Sequence, residues 1–219
     1  MKKFSIYILF ALMAVFTTGL VSCSESSDEV EEFPDWQNTN EKYFDSKYSE
    51  VKALVDAGNT EWKILRSWSL EDNVATHSYD HVLVDVLEKG NGSGCPLYTD
   101  SVEVHYSGRL LPSTSYPEGY EFDKSWTGEF NDSTALPRRF AVSGVVVGFS
   151  TALQNMHIGD KWRIYIPHQL GYGSLTNPGA AYSTLIFEVE LKAYYRANYT
   201  QQAPSLSGRQ PKRGKWIYE

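Results

Sequence analysis

The sequence is poor in cysteine: only two of its 219 residues are cysteines, Cys23 and Cys95. These two cysteines and the five histidines form no cluster with the spacing of metal ligands. His77 and His81 lie four residues apart, but the pattern around them is not helical, so we interpret both as solvent-facing or turn residues. The sequence therefore predicts no metal site.

Positive charge is also scarce. The chain has 20 Lys and Arg against 27 Asp and Glu, a net charge of −7. Lys2 and Lys3 precede an apolar stretch that ends at Val21, which is typical of a secretory signal peptide. Residues 1–22 contain two lysines and no acids, so their removal gives a charge of 18 − 27 = −9. Because phosphate binding requires clustered cations, this balance argues against nucleic acid as a partner.

The predicted signal peptide ends in Leu-Val-Ser-Cys at residues 20–23, which resembles the lipobox of bacterial lipoproteins. Cleavage after residue 22 would leave Cys23 as the first residue, carrying lipid. With Cys23 lipidated, Cys95 has no partner, and we expect no internal disulfide. The alternative is a transmembrane anchor with an incidental cysteine at its end.

An acidic segment without periodicity, residues 23–34, follows the predicted cleavage point. Its composition predicts an extended tether between the lipid and the folded body. Acids so close to a lipidated cysteine also resemble the surface-export signals of lipoproteins in some Gram-negative lineages. We therefore predict a protein of the cell envelope, lipid-anchored to the outer membrane and facing the periplasm or the cell surface.

Residues 35–79 are predicted to form an extension ahead of the main domain. From Trp36 to Val55 apolar residues recur at intervals of three and four, which predicts an amphipathic helix of about five turns. The segment from Trp62 to Trp68 alternates like a strand. The aromatic stripe of the helix is typical of a packing surface. It docks on the following domain, or it contacts a second copy or a client protein.

The main domain, residues 80–196, combines alternating strands with one short helix. An apolar run stops at Gly148, and a helical pattern follows until Gly159. A helix this short is marginal in water, so a sheet must hold it. We predict an α+β fold in which an antiparallel half-barrel sheet wraps around the helix. Strands are predicted at residues 82–86, 102–110, 162–166 and 184–191.

Two acidic residues of the last strand, Glu188 and Glu190, could be mistaken for a catalytic carboxylate pair. They alternate with Phe187 and Val189, so the period of a strand places them in water and the apolar residues inside. We do not predict an acid–base role for them. The tail, residues 197–219, contains proline and glycine, which indicates a loop or a disordered end.

Six short motifs occur in order between about Val82 and Leu191. They are Tyr106 in VHYSG, Phe122-Asp123, VVVGF at 145–149, Gly171-Tyr172-Gly173, Asn177-Pro178-Gly179, and Thr184-Leu185-Ile186-Phe187. Taken together, these motifs resemble the FKBP-type peptidyl-prolyl isomerases. The resemblance implies an FKBP-like fold and an enzyme that needs neither metal nor cofactor.

The resemblance implies a site in which an aromatic pocket binds proline. Phe149 would form the floor, where many family members have Trp, and Asp123 would be a polar wall near the twisting amide. Tyr172 would donate its hydroxyl to a substrate carbonyl. The catalytic residues would be Tyr106, Phe122, Asp123 and Tyr172, and the substrate-binding residues Val145, Val146, Phe149, Phe187, Asn177 and Ala180. From the residues alone, the aromatic ones are more typical of ordinary core packing, and Asp123 could merely cap a turn.

Departures from the family pattern concentrate near the implied site. Ala180 and Ala181 stand where larger apolar residues are common, and Asn177 occupies a position that is often His. The segment between Phe122 and Phe140 does not align with the family pattern. These differences bear on substrate reach and on affinity for macrolide inhibitors.

Three functions are compatible with these patterns. The first is a lipid-anchored prolyl isomerase of the envelope, which acts on proline-containing unfolded or exported polypeptides. The second is a non-catalytic FKBP-like chaperone module in which the helix from Trp36 to Val55 grips client proteins. The third is an accessory subunit of an envelope complex. The complete aromatic set favours the isomerase.

Overall fold

The computed structural model of the protein describes residues 31–176, 179–197 and 214–218. The signal peptide, Cys23, Asn177 and most of the predicted tail lie outside these residues. All the helices and strands among these described residues belong to one compact unit, residues 32–219. In the part of the chain that the structure describes, no helix has the length and apolar character needed to cross a bilayer.

The described part of the chain forms two α-helices and eight strands. The helices are α1 (Trp36–Asp56) and α2 (Val147–Leu153). The strands are β1 (Trp62–Arg66), β2 (His81–Glu88), β3 (Ser101–Arg109), β4 (Glu121–Lys124), β5 (Arg138–Ala141), β6 (Lys161–Ile166), β7 (Leu185–Arg196) and β8 (Lys215–Ile217).

The strands form one antiparallel sheet in the order β1-β2-β6-β7-β3-β4. Strand β5 pairs with β3, and β8 pairs with β7. This arrangement confirms the predicted α+β fold with an antiparallel sheet around a short helix. Strand β7 runs five residues past the predicted end at Leu191, because Ala193 and Tyr194 remain buried and β3 continues to pair with it.

Helix α2 packs against the inner face of the sheet. Phe149, Ala152 and Leu153 of this helix, and Met156 just after it, are buried in the main core. The helix starts one residue before Gly148, so this glycine lies inside it and not ahead of it. A Cβ at Gly148 would lie 2.3 Å from Cγ2 of Ile166. The absence of a side chain at Gly148 therefore allows α2 to pack close to β6.

Helix α1 packs on the opposite, outer face of the sheet. Phe44 and Val51 of the helix form a second core cluster with Leu83 and Tyr165. Leu83 is therefore buried although β2 alternates, since this strand is covered on both faces. Of the alternatives open to the aromatic stripe, the structure shows docking on the domain itself.

The outward-facing acids of β7 are half-buried and not fully solvated. Arg163 lies with Nη2 2.7 Å from Oε1 of Glu188, and Lys192 lies with Nζ 2.7 Å from Oε1 of Glu190. Each acid thus has a cationic partner on the sheet. They lie on the face away from the cavity described below, which agrees with a structural role.

Candidate active site

A cavity of about 320 Å³ opens on the inner side of the sheet, above α2. Strands β3, β4, β5 and β7 contribute to it, together with the residues that lead into α2 and the segment between β6 and β7. Its walls are mainly aromatic and aliphatic. The lining residues are Tyr106, Asp123, Arg138, Phe140, Gly144, Val145, Val146, Phe149, Tyr172 and Phe187.

Phe149 forms the bottom of this cavity. It is only 3% exposed, because three other rings surround it. The ring centroids of Phe187, Phe140 and Tyr106 lie 4.8, 6.0 and 6.2 Å from that of Phe149, all edge-to-face. Such pairs stabilise by about 0.5–1.5 kcal/mol beyond their buried area, so the floor is both apolar and rigid.

Tyr106 has a polar contact in addition to its ring contacts. Its hydroxyl donates a hydrogen bond to Oδ2 of Asp123 at 2.6 Å. The bond follows from strand pairing, because Asp123 on β4 lies opposite Gly108, two residues from Tyr106 on β3. Burial, and then this bond to Asp123, raise the pKa of Tyr106, so the hydroxyl remains protonated at neutral pH.

The Asp123 carboxylate faces a cation as well. Nη1 of Arg138 lies 3.8 Å from its Oδ1, and both side chains are about half exposed. The pair sits at the mouth of the cavity, where solvent screening makes such a contact weak. Asp123 therefore presents a carboxylate, with Arg138 beside it, to any ligand that enters between the rings.

Tyr172 reaches the cavity from the segment between β6 and β7. A short 3₁₀ turn, His168–Leu170, comes just before Tyr172 in this segment. Gly173 follows with a φ of 59°, a left-handed conformation that glycine adopts without strain. Burial, and then the nearby Asp123 charge, raise the pKa of Tyr172, so its hydroxyl is a neutral hydrogen-bond donor at physiological pH.

Residues 95–192 match the family model for the FKBP-type peptidyl-prolyl cis-trans isomerases. This part of the chain belongs to that family. We call residues 95–192 the FKBP domain. The resemblance of the six sequence motifs is thereby confirmed for the FKBP domain.

Named relatives agree with this assignment. The FKBP-type 22 kDa peptidyl-prolyl cis-trans isomerase of Escherichia coli K12 is 41% identical over 110 residues, which are 48% of this chain and 46% of that protein. The isomerase FkpA of the same strain is 34% identical over 148 residues, which are 65% of this chain and 49% of that protein. The chain thus spans about half the length of these relatives.

A solved structure of a peptidyl-prolyl cis-trans isomerase from Pseudomonas syringae pv. tomato is 28% identical to this chain. It covers 68% of this chain and 92% of its own, with a TM-score of 0.45.

The FKBP domain brings most of the implied site residues to one cavity. Phe122 does not line it but supports a wall, with its ring centroid 5.4 Å from that of Phe187. Ala180 is half-buried, packs against the main core and does not line the cavity, and Asn177 lies outside the described residues. The predicted residues that line the cavity are Tyr106, Asp123, Val145, Val146, Phe149, Tyr172 and Phe187.

Three lining residues of the FKBP domain were not predicted: Arg138, Phe140 and Gly144. Arg138 and Phe140 belong to β5, which pairs with Val104 and Val102 of β3. Both lie in or beside the segment that does not align with the family pattern. The alternation of Arg138 and Phe140 across Arg139 is the only sequence signal that places them on one face.

Proposed function

We propose that this protein is a peptidyl-prolyl cis-trans isomerase of the cell envelope that acts on proline-containing unfolded or exported polypeptides. The observation that carries the proposal is the cavity, with Phe149 as its floor and the hydrogen-bonded Tyr106 and Asp123 on one wall. The family of the FKBP domain and the names of its relatives support it. The chaperone alternative is less favoured, because the apolar side of α1 is packed on the sheet.

The chemistry of prolyl isomerisation fits this inventory. Rotation about an X-Pro bond must overcome a barrier of roughly 18–20 kcal/mol, because amide resonance is lost at the twisted geometry. No covalent bond is made or broken, so the site needs no nucleophile. It needs only to bind the twisted amide more tightly than the planar one, and each ~1.4 kcal/mol of that difference gives tenfold in rate.

Each part of the cavity has a task in this mechanism. The proline ring would lie against Phe149, between Tyr106 and Phe187, where water is excluded. The backbone at Val145 and Val146 would bind the substrate chain, and the Tyr172 hydroxyl would donate to a substrate carbonyl. Asp123 would face the amide as its dipole rotates. Macrolides are candidate inhibitors that would compete for the same cavity.

The first test compares turnover of an apolar-X-Pro peptide by the parent protein and by two variants, Tyr172→Phe and Asp123→Ala. Each change removes one polar contact to the reacting amide, which we expect to lower kcat/KM about tenfold. Matched controls are Tyr116→Phe and Asp56→Ala, whose side chains are exposed and lie outside the cavity. Circular dichroism verifies that every variant is folded.

Full activity in both site variants would contradict the proposed roles of Tyr172 and Asp123. A folded parent with no turnover would exclude the isomerase and favour the binding module. Loss in the site variants with full activity in the controls is the expected result.

The proposed location rests on the segment before the FKBP domain, where the lipobox-like residues 20–23 precede the acidic tether. A relative from Legionella longbeachae, named outer membrane protein MIP, is 32% identical over 114 residues and supports an envelope location. We propose that lipid on Cys23 anchors this protein to the outer membrane.

Cys23→Ala should therefore shift the protein from the membrane fraction to the soluble fraction of expressing cells, since no lipid could be attached. Immunoblots of the separated fractions measure the shift, and Cys95→Ala serves as the control that keeps the anchor. Equal membrane association of the parent and Cys23→Ala would exclude the lipid anchor.

A further inference from the structure

The segment between β6 and β7, residues 167–184, carries three of the predicted site residues, Tyr172, Asn177 and Ala180, of which Asn177 lies outside the described residues. It contains no strand, only short turns, among its described residues. Loops of this kind lose considerable conformational entropy when they are ordered. A site that depends on Tyr172 therefore requires additional contacts that hold this segment in place.

Helix α1 supplies such contacts at the end of the segment nearest β7. The indole Nε1 of Trp36 donates to Oγ of Ser183 at 2.8 Å, and Oγ of Ser183 donates to the carbonyl oxygen of Ala180 at 2.8 Å. Trp36 and Ser183 are both buried. A chain of two hydrogen bonds thus joins the first turn of α1 to Ala180.

Asn40, one turn further along α1, binds the same end of the segment. The backbone N–H of Thr184 donates to Oδ1 of Asn40 at 2.7 Å, and Nδ2 of Asn40 donates to the carbonyl oxygen of Trp36 at 2.8 Å. Asn40 has no exposed surface. Its loss would leave the N–H of Thr184 buried without an acceptor, which is costly.

The other end of the segment is held by the next residue of the helix. Nε2 of His168 lies 3.2 Å from Oε1 of Glu41. The His168 ring also packs edge-to-face on Tyr182, with centroids 5.3 Å apart. His168 opens the turn that leads to Tyr172, so the contact with Glu41 is close to the proposed donor.

The N-terminal end of α1, residues 36–41, and the rest of the helix make different contacts. Phe44 and Val51 pack on the outer face of the sheet, and Trp36 and Asn40 are hydrogen-bonded to the segment between β6 and β7. The packing of Phe44 and Val51 on the sheet does not involve the bonds of Trp36 and Asn40. This separation suggests a role for the N-terminal end of α1 in the site.

We propose that Trp36, Asn40 and Glu41 are positioning residues of the isomerase site, which hold residues 167–176 and 179–184 so that Tyr172 stays at the cavity. The inference rests on the proposed function for its effect on turnover. Its structural content, that α1 orders this segment, can be measured without turnover.

The experiment uses the full chain and compares Asn40→Ala with Val51→Ala. Both changes loosen α1, but Val51 makes its contacts with the sheet and not with residues 167–184. We expect amide hydrogen exchange in residues 168–176 and 179–184 to become at least tenfold faster in Asn40→Ala only. We expect kcat/KM to fall about tenfold in Asn40→Ala and to change less than twofold in Val51→Ala.

A double variant decides whether the effect passes through Tyr172. In a Tyr172→Phe background, Asn40→Ala should lower kcat/KM by less than threefold, since the hydroxyl that it positions is already absent. If Asn40→Ala fails to fold, Trp36→Phe replaces it, because this change removes the donor to Ser183 and keeps an aromatic ring.

Equal exchange rates of residues 168–184 in the Asn40 and Val51 variants would overturn the proposal, whatever the turnover. Full additivity of Asn40→Ala and Tyr172→Phe would also overturn it. If the folded parent has no turnover, the proposed function fails, and the exchange rates still decide whether α1 orders the segment.

Discussion

Phe149→Ala is expected to abolish measurable prolyl turnover and to lower the free energy of unfolding by about 3–5 kcal/mol. The ring is 3% exposed and contacts Tyr106, Phe140 and Phe187, so its removal leaves a void beneath the cavity. The three facing rings would lose their common partner and move. The floor on which the proline ring is proposed to lie would be lost with them.

Urea unfolding and peptide turnover at 15 °C on the same samples separate the two effects of Phe149→Ala. Leu83→Ala is the matched control, because Leu83 is fully buried in the cluster on the outer face of the sheet. It should lose about 2–5 kcal/mol of stability and retain turnover per folded molecule. Equal loss of turnover in both variants would mean that stability, and not the floor of the cavity, controls activity.

Gly90→Ala should have the second largest effect, on stability alone. A Cβ at this position would lie 2.1 Å from the carbonyl oxygen of Ile158 and 2.5 Å from the backbone nitrogen of Asp160. Both are backbone atoms, which cannot rotate away as a side chain could. The N–H of Gly90 also donates to Oδ1 of Asp160 at 2.8 Å, and separation of the two loops would break this bond.

We expect Gly90→Ala to lower the free energy of unfolding by about 3 kcal/mol, measured by urea unfolding at 25 °C. Gly144→Ala is the control, because its added Cβ would have Ala141 at 3.8 Å as its nearest neighbour, an ordinary contact. A stability change below 1 kcal/mol in Gly90→Ala would show that the two loops can separate without penalty.

Much of the fold could be predicted from the sequence, because apolar residues alternate along the main strands, most clearly in β7, where buried and half-buried positions alternate from Leu185 to Ala193. The helix from Trp36 to Val55 also appeared at its predicted place, as α1. The continuation of β7 past Leu191 was missed, since its partner is the start of β3, remote in sequence. Periodicity describes one segment at a time and does not specify which segments meet.

The same limit applies to the candidate site. The motifs predicted Tyr106 and Asp123 as separate walls, whereas the structure joins them by a hydrogen bond that depends on the pairing of β3 with β4. Arg138 and Phe140 were missed because β5 is only four residues long and carries too little alternation to identify. Aromatic positions were predictable from motif spacing, and polar contacts between strands were not.

The hydrogen bond from Thr184 to Asn40 joins residues 144 positions apart in the chain. During synthesis the chain emerges from its N-terminus, so α1 appears long before the segment that it helps to hold. The bond cannot form until nearly the whole described domain has been synthesised. A protein proposed to assist the folding of other chains therefore completes one of its own longest-range buried contacts among its last.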